Sequence, residues 1–150
     1  TAGYLSGAHN ALRNELGLMS DALEDIDATD VAWQCDVLDT VRESGAFAGT
    51  DLADKQFAGL GRDERGDVDE LVLGLTRFIA GTNSALTCTN LVDMVGDKRV
   101  QNLPGTNSEQ YQNWCVPLCD KDGKAVLIED LENMELFRRM AEASARPPRS

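Results

Sequence analysis

Apolar residues recur three or four positions apart through most of the first eighty residues. Leu5, Ala8, Leu12 and Leu16 fall on one helical face and Gly17 stands where a helix would stop, which predicts an amphipathic helix over Ala2–Leu16. Ser20 suits the cap of a short turn. Thr29 or Asp30 suits the start of a second long helix that carries Val31, Cys35, Leu38 and Arg42 along one side, with Trp33, Val37 and Val41 beside them, and that ends at Ser44-Gly45. Phe47 to Gly66 is glycine-rich and of mixed charge, a loop composition with room for one short helix around Leu52–Phe57. Asp67 then offers an N-cap with Glu70 three residues on, and Val68, Leu71, Val72, Leu75, Phe78 and Ile79 share one face up to Gly81.

The helical period ends near Ala85. Leu86 to Val92 is β-prone and turns at Gly96 into polar sequence, after which Asn102-Leu103-Pro104-Gly105-Thr106 sets Pro and Gly side by side in a tight turn and Asn113-Trp114 comes next. Holding so long a loop in one shape costs about 1–2 kcal/mol per residue in backbone entropy, and ordered loops of this kind commonly touch a ligand. Cys115–Cys119 and Lys124–Ile128 flank Asp120-Lys121-Asp122-Gly123, whose Asp-Gly step favours a small β-hairpin. Glu129 or Asp130 begins a last helix with Leu131, Met134, Phe137 and Met140 at helical spacing, and Arg146-Pro147-Pro148-Arg149 makes residues 146–150 a frayed tail. The expected class is mainly α, with about five helices, one strand and one hairpin.

Charge and composition narrow the function. Fourteen basic against twenty-six acidic residues leave a net charge of −12, which repels phosphate backbones and anionic membrane surfaces, so neither nucleic acid nor membrane is an expected partner. No apolar run reaches the roughly 18 residues of a membrane helix. Cys35, Cys88, Cys115 and Cys119 form no CxxC pair and the single histidine, His9, is remote from them, so we expect no metal, no cofactor and four reduced thiols in a cytoplasmic setting. Thr1 enters a helical pattern at once, without Met or a signal-peptide lead, and is read as a cut in a longer chain.

Few residues carry candidate chemistry. Most acids, Asp21, Glu24, Asp25, Asp27, Asp36, Asp39 and Glu43 among them, occupy polar positions of helices and read as a solvated face. Asp93 directly succeeds the strand candidate, where it either faces a site or caps a turn and pairs with Lys98 or Arg99. Asn102 and Thr106 have the neutral donors and acceptors that sugar hydroxyls match, or else bond their own backbone. Trp114 either stacks on a sugar ring or anchors its loop. Asp120-Lys121-Asp122-Gly123 lacks the later acidic ligands of a calcium loop and reads as a turn.

The order Leu91-Val92-Asp93-Met94-Val95-Gly96, Asn102-Leu103-Pro104-Gly105-Thr106, Asn113-Trp114 resembles the C-terminal end of the amylomaltases, the 4-α-glucanotransferases that disproportionate maltodextrins. Thr1-Ala2-Gly3-Tyr4-Leu5 is similar to the segment immediately after that family's His-Asp motif. The resemblance implies that residues 1–150 are one C-terminal fragment of a (β/α)₈ TIM barrel, with Leu86–Val92 as a barrel strand. It also implies a retaining glucanotransferase whose catalytic carboxylates all lie upstream, the last of them a few residues before Thr1. Asn102, Gly105, Thr106, Asn113 and Trp114 would then be substrate-binding residues, and maltodextrin or a starch-derived oligosaccharide the partner. Retaining glycosyl transfer needs two carboxyl groups about 5 Å apart, so the fragment alone should be inactive, and its uncovered strand and helix faces should make it self-associate. A reading from another class is an acidic helical interaction module using the faces of Val68–Ala80 and Leu131–Met140.

Overall fold

A computed structural model of the chain describes residues 1–145, so the tail expected over 146–150 lies outside the described residues. The first helical pattern folds as two pieces, α1 (Ala2–Leu5) and α2 (Ala8–Glu15). The break falls at Gly7, whose φ of 82° is left-handed and open mainly to glycine. The Arg62 side chain packs 3.1 Å from where a Cβ would stand there, so the break also seats a long-range contact.

The second helix, α3 (Leu23–Glu43), begins well before Thr29. Glu24 and Asp25 fill its first turn, where negative charge complements the helix dipole, while the Thr29 hydroxyl donates to the Asp25 carbonyl inside the helix at 3.0 Å instead of capping. α3 buries Gln34, Cys35, Leu38 and Val41. No helix forms at Leu52–Phe57; the chain turns repeatedly there and inserts Leu52 and Phe57 singly into the core, and a short 3₁₀ turn comes after it at Arg62–Glu64.

α4 (Val68–Ala80) matches its expectation, with the Asp67 carboxylate accepting from Asp69 N–H at 2.8 Å and Gly81 at the end. Glu70 does not fold back to close a capping box; it reaches across to Arg139 at 2.7 Å. That contact ties α4 to α6 (Glu135–Ser144), which starts later than expected because Ile128–Asn133 is a 3₁₀ turn and Met134 is extended. Leu38, Val41, Phe47, Phe57, Leu71, Leu73 and Met140 make the centre of the core, with α4 packed between α3 and α6 and the Phe47 and Phe57 rings 5.8 Å apart.

Two β expectations are corrected. Leu86–Val92 makes no strand within the described residues: its last residues open α5 (Leu91–Met94), and the stretch before it runs without helix, with Leu86 89% exposed. A strand exists only against a neighbour that completes its hydrogen-bond ladder, and among the described residues none runs beside this one. The expected hairpin reduces to one antiparallel bridge, Cys119 to Ala125. The Asp120 carboxylate accepts from Asp122 and Lys124 N–H at 3.0 and 2.9 Å, which tightens the reversal without extending the strands.

Candidate functional site

The long loop after α5 is held by polar contacts that begin at Asp97. Its carboxylate is wholly buried, takes both guanidinium contacts of Arg99 at 3.0 and 2.8 Å, and accepts from Arg99 N–H at 2.9 Å and Cys119 N–H at 3.2 Å. Arg99 also donates to the Pro117 carbonyl. The bidentate pair at the start of the loop is therefore tied to its end, some twenty residues later, by the Pro117 carbonyl and the Cys119 N–H. Burial alone would raise the Asp97 carboxyl, but the donors from Arg99 and Cys119 outweigh it and hold its pKa below the ordinary carboxylate value.

Inside that clamp, Leu103 is fully buried and Asn113 organises the turn around it. Asn113 Oδ1 accepts from Leu103 N–H at 2.5 Å, its Nδ2 donates to Thr106 Oγ1 at 2.9 Å, and the Thr106 hydroxyl donates to the Leu103 carbonyl at 2.7 Å. The Tyr111 hydroxyl donates to the Val100 carbonyl. Thr106 and Asn113 are thus committed to the loop's own shape. Gly105, at φ 88°, sits at the exposed tip of the turn.

Trp114 is placed differently. Its N–H donates to the Gln101 carbonyl at 2.7 Å, its φ of 61° makes it the single non-glycine residue with positive φ among the described residues, and its side chain is 75% exposed. Within the described residues the loop is held by Asp97, Leu103 and Asn113 and not by the indole, which is exposed. Holding a bulky residue in left-handed backbone costs about 1–2 kcal/mol, a strain typical of ligand-contacting positions.

Trp114 and Asn102 border a cleft of about 550 Å³ whose remaining walls include Tyr4, His9, Lys98 and Gln101. α1 reaches this wall because Gly3 has no Cβ; one added there would stand 2.3 Å from the Lys98 carbonyl oxygen. Asp93 has the structural role: it is buried, accepts from Ala2 N–H at 2.8 Å and pairs with the Thr1 amino group at 2.8 Å, fastening α5 to the start of α1, while Arg99 pairs with Asp97. Asp97 is the carboxylate in the lining, and Arg99 occupies it, so the cleft presents no pair of free carboxyl groups. The lining otherwise combines the side-chain amides of Gln101 and Asn102, the rings of Tyr4, His9 and Trp114, and Lys98.

Asn102 and Trp114 thus line one cleft, whereas Thr106 and Asn113 bond within the loop and Gly105 stands at the tip of its turn. Sequence reading missed Tyr4, His9 and Gln101, which come from distant positions and carry no spacing signal; Asp97-Lys98-Arg99 had at least the form of an Asp-started turn. Burial and the Arg13 charge lower the His9 pKa against a smaller opposing effect of Asp30, so its imidazole is neutral at neutral pH. Cys35 and Cys119 are buried, Cys88 and Cys115 exposed, and all four thiols are free in the structure. Among the described residues no cluster of His, Cys, Asp or Glu could hold a metal ion, and no helix is long and apolar enough to cross a membrane.

No family model matches the chain. The chain is 38% identical over 147 residues to the 4-alpha-glucanotransferase of Mycobacterium tuberculosis strain H37Rv, and equally to that of Mycobacterium bovis, covering 95% of this chain and 18% of each relative. Its fold superposes on the crystal structure of amylomaltase from Corynebacterium glutamicum with a TM-score of 0.90 at 49% identity, covering 98% of this chain and 20% of that one. The chain matches the C-terminal part of an amylomaltase, a 4-alpha-glucanotransferase, and spans about a fifth of the length of these relatives.

Proposed function

We propose that the chain is the closing portion of a retaining 4-α-glucanotransferase that moves α-1,4-glucan segments between maltodextrins. The observation that carries this is the joint agreement of sequence and backbone with an amylomaltase along nearly the whole chain. In this reading residues 1–150 are one contiguous piece of a (β/α)₈ barrel, and the extended stretch before α5 is a barrel strand whose neighbours belong to the rest of the polypeptide. The cleft then lies at the C-terminal end of that strand, where barrel enzymes hold substrate. Asn102 and Trp114 contact the glucan, Gly105 lets backbone approach it, and Thr106 and Asn113 keep the loop in shape.

Bond cleavage belongs to carboxylates upstream, since a glycosidic bond needs both an attacking group and a proton donor. The full-length enzyme carrying this chain should convert maltotriose to glucose and longer maltodextrins, and the 150-residue chain alone should not. Absence of transfer by the full-length enzyme, or transfer by the isolated chain, would refute the assignment. The isolated chain should also self-associate through the uncovered stretch around Leu86, which light scattering across salt concentrations tests; a strict monomer at high concentration would refute that part.

A further inference from the structure

The cleft beside Trp114 has a second wall, made by Tyr4 of α1 and His9 of α2. Tyr4 is fixed on several sides. Its hydroxyl donates to Asp30 Oδ1 at 2.9 Å, and its ring meets His9 edge-on at 6.5 Å and Trp33 edge-on at 6.3 Å. With the hydroxyl engaged by Asp30, the part of Tyr4 left for a ligand is ring surface. His9 beside it adds an uncharged imidazole, which retains one donor and one acceptor.

Gln101, on the loop side of the same cleft, has a buried side-chain nitrogen with no hydrogen-bond partner. A buried donor left unmatched is unfavourable, and such groups in native structures usually await a water or a ligand acceptor. Asp97 pairs with Arg99 in the lining, and Lys98 stands beside them as a further donor that a ligand hydroxyl can meet. The volume of about 550 Å³ is in the range of pockets that enclose small ligands.

Resting on the glucanotransferase reading, we propose that this second wall is a glucan subsite that nothing else in the chain assigns. Tyr4 and His9 receive the apolar face of a glucosyl unit, Gln101 Nε2 donates to one of its hydroxyls, and the cleft so holds the stretch of neutral α-glucan that runs on from the unit at Trp114. The step is binding alone; no bond is made or broken by these residues.

The test uses the full-length enzyme with maltoheptaose and the variants His9→Ala, Gln101→Ala, Tyr4→Leu and Tyr4→Phe, each checked for an unchanged thermal midpoint. Loss of one hydrogen bond or ring contact should raise KM roughly 3- to 10-fold, with kcat within about twofold. Tyr4→Phe keeps the ring and loses only the bond to Asp30, so its KM should stay near that of the wild type while Tyr4→Leu raises it. If the wild-type enzyme disproportionates maltodextrins but His9→Ala and Gln101→Ala keep its KM, the subsite is wrong and the functional reading stands. Equal KM increases in Tyr4→Phe and Tyr4→Leu would likewise overturn it, because the hydroxyl network and not the ring would then matter. A wild-type enzyme inactive on maltodextrins would refute the functional reading and the subsite together.

Discussion

The helical body and the loop beyond α5 are held together by different forces. The body buries Leu38, Val41, Phe47, Phe57, Leu71 and Met140 against one another, so its stability comes from apolar area removed from water. Between Asp97 and Val126 only Leu103 and Cys119 are buried apolar residues among those described, and shape comes from the Asp97–Arg99 pair and the Asn113 contacts. Apolar packing tolerates replacement by other apolar groups of similar volume, whereas a buried polar contact depends on particular atoms. A region built the second way keeps a defined surface with little core, which suits a loop that must present Trp114 and Asn102 to a cleft.

The sharpest way to break the comparison is to weaken each region by its own logic. Phe47→Ala removes a fully buried ring that packs on Phe57, and should cost about 3–5 kcal/mol in denaturant unfolding. A loss under about 1 kcal/mol would show that the body is not held by its core. Asp97→Asn keeps size but replaces the bidentate acceptor of Arg99, and should cost about 2 kcal/mol, with the greater change in the mobility of the Trp114 ring seen by fluorescence anisotropy. Unchanged anisotropy would mean that the clamp does not hold the loop.

The body was largely legible in the sequence because its period is local. Asp67 and Gly81 bounded α4 correctly, since an N-cap and a terminating glycine act within a few residues. Gly7 was not recognised as a break because the features that require it, the left-handed turn and the nearby Arg62 side chain, are tertiary. The Leu86–Val92 strand was read from residue type alone, but strand formation depends on a partner that no local pattern supplies. In the cleft, loop composition and the family resemblance singled out Asn102 and Trp114, while Tyr4 and His9 reach it only through the packing of α1 against Lys98, and Gln101 carries no spacing signal.

Acid titration separates the two regions further. Asp97 has its folded pKa below the unfolded value near 3.9, so its contribution is present above that value and is lost as pH falls through the folded pKa. His9 behaves in the same sense at higher pH. Burial lowers its folded pKa, the unfolded chain binds the extra proton first, and stability falls as pH drops below about 6.5. His9→Gln should remove a small sag in stability below about pH 6.5 and leave the Asp97 loss at lower pH intact. A sag of the same size in the variant would show that the imidazole of His9 is not the group held neutral by the fold, whatever the balance of Arg13 and Asp30 around it.

The smallest expected effect on stability is at the residue of greatest interest. Trp114→Gly relieves left-handed strain of about 1–2 kcal/mol and gives back about 0.5–1 kcal/mol through the greater freedom of glycine in the unfolded chain. The indole is mostly exposed, so its removal forfeits little buried area, and the Trp114 N–H to Gln101 carbonyl bond survives because it is made by backbone. The net change should lie within about 1 kcal/mol of zero and lean toward stabilisation. Equilibrium urea unfolding of the two proteins measures it. A loss above about 2 kcal/mol would mean that the ring anchors its loop after all, as the sequence allowed, and would move Trp114 from the polar, outward-facing region into the apolar one.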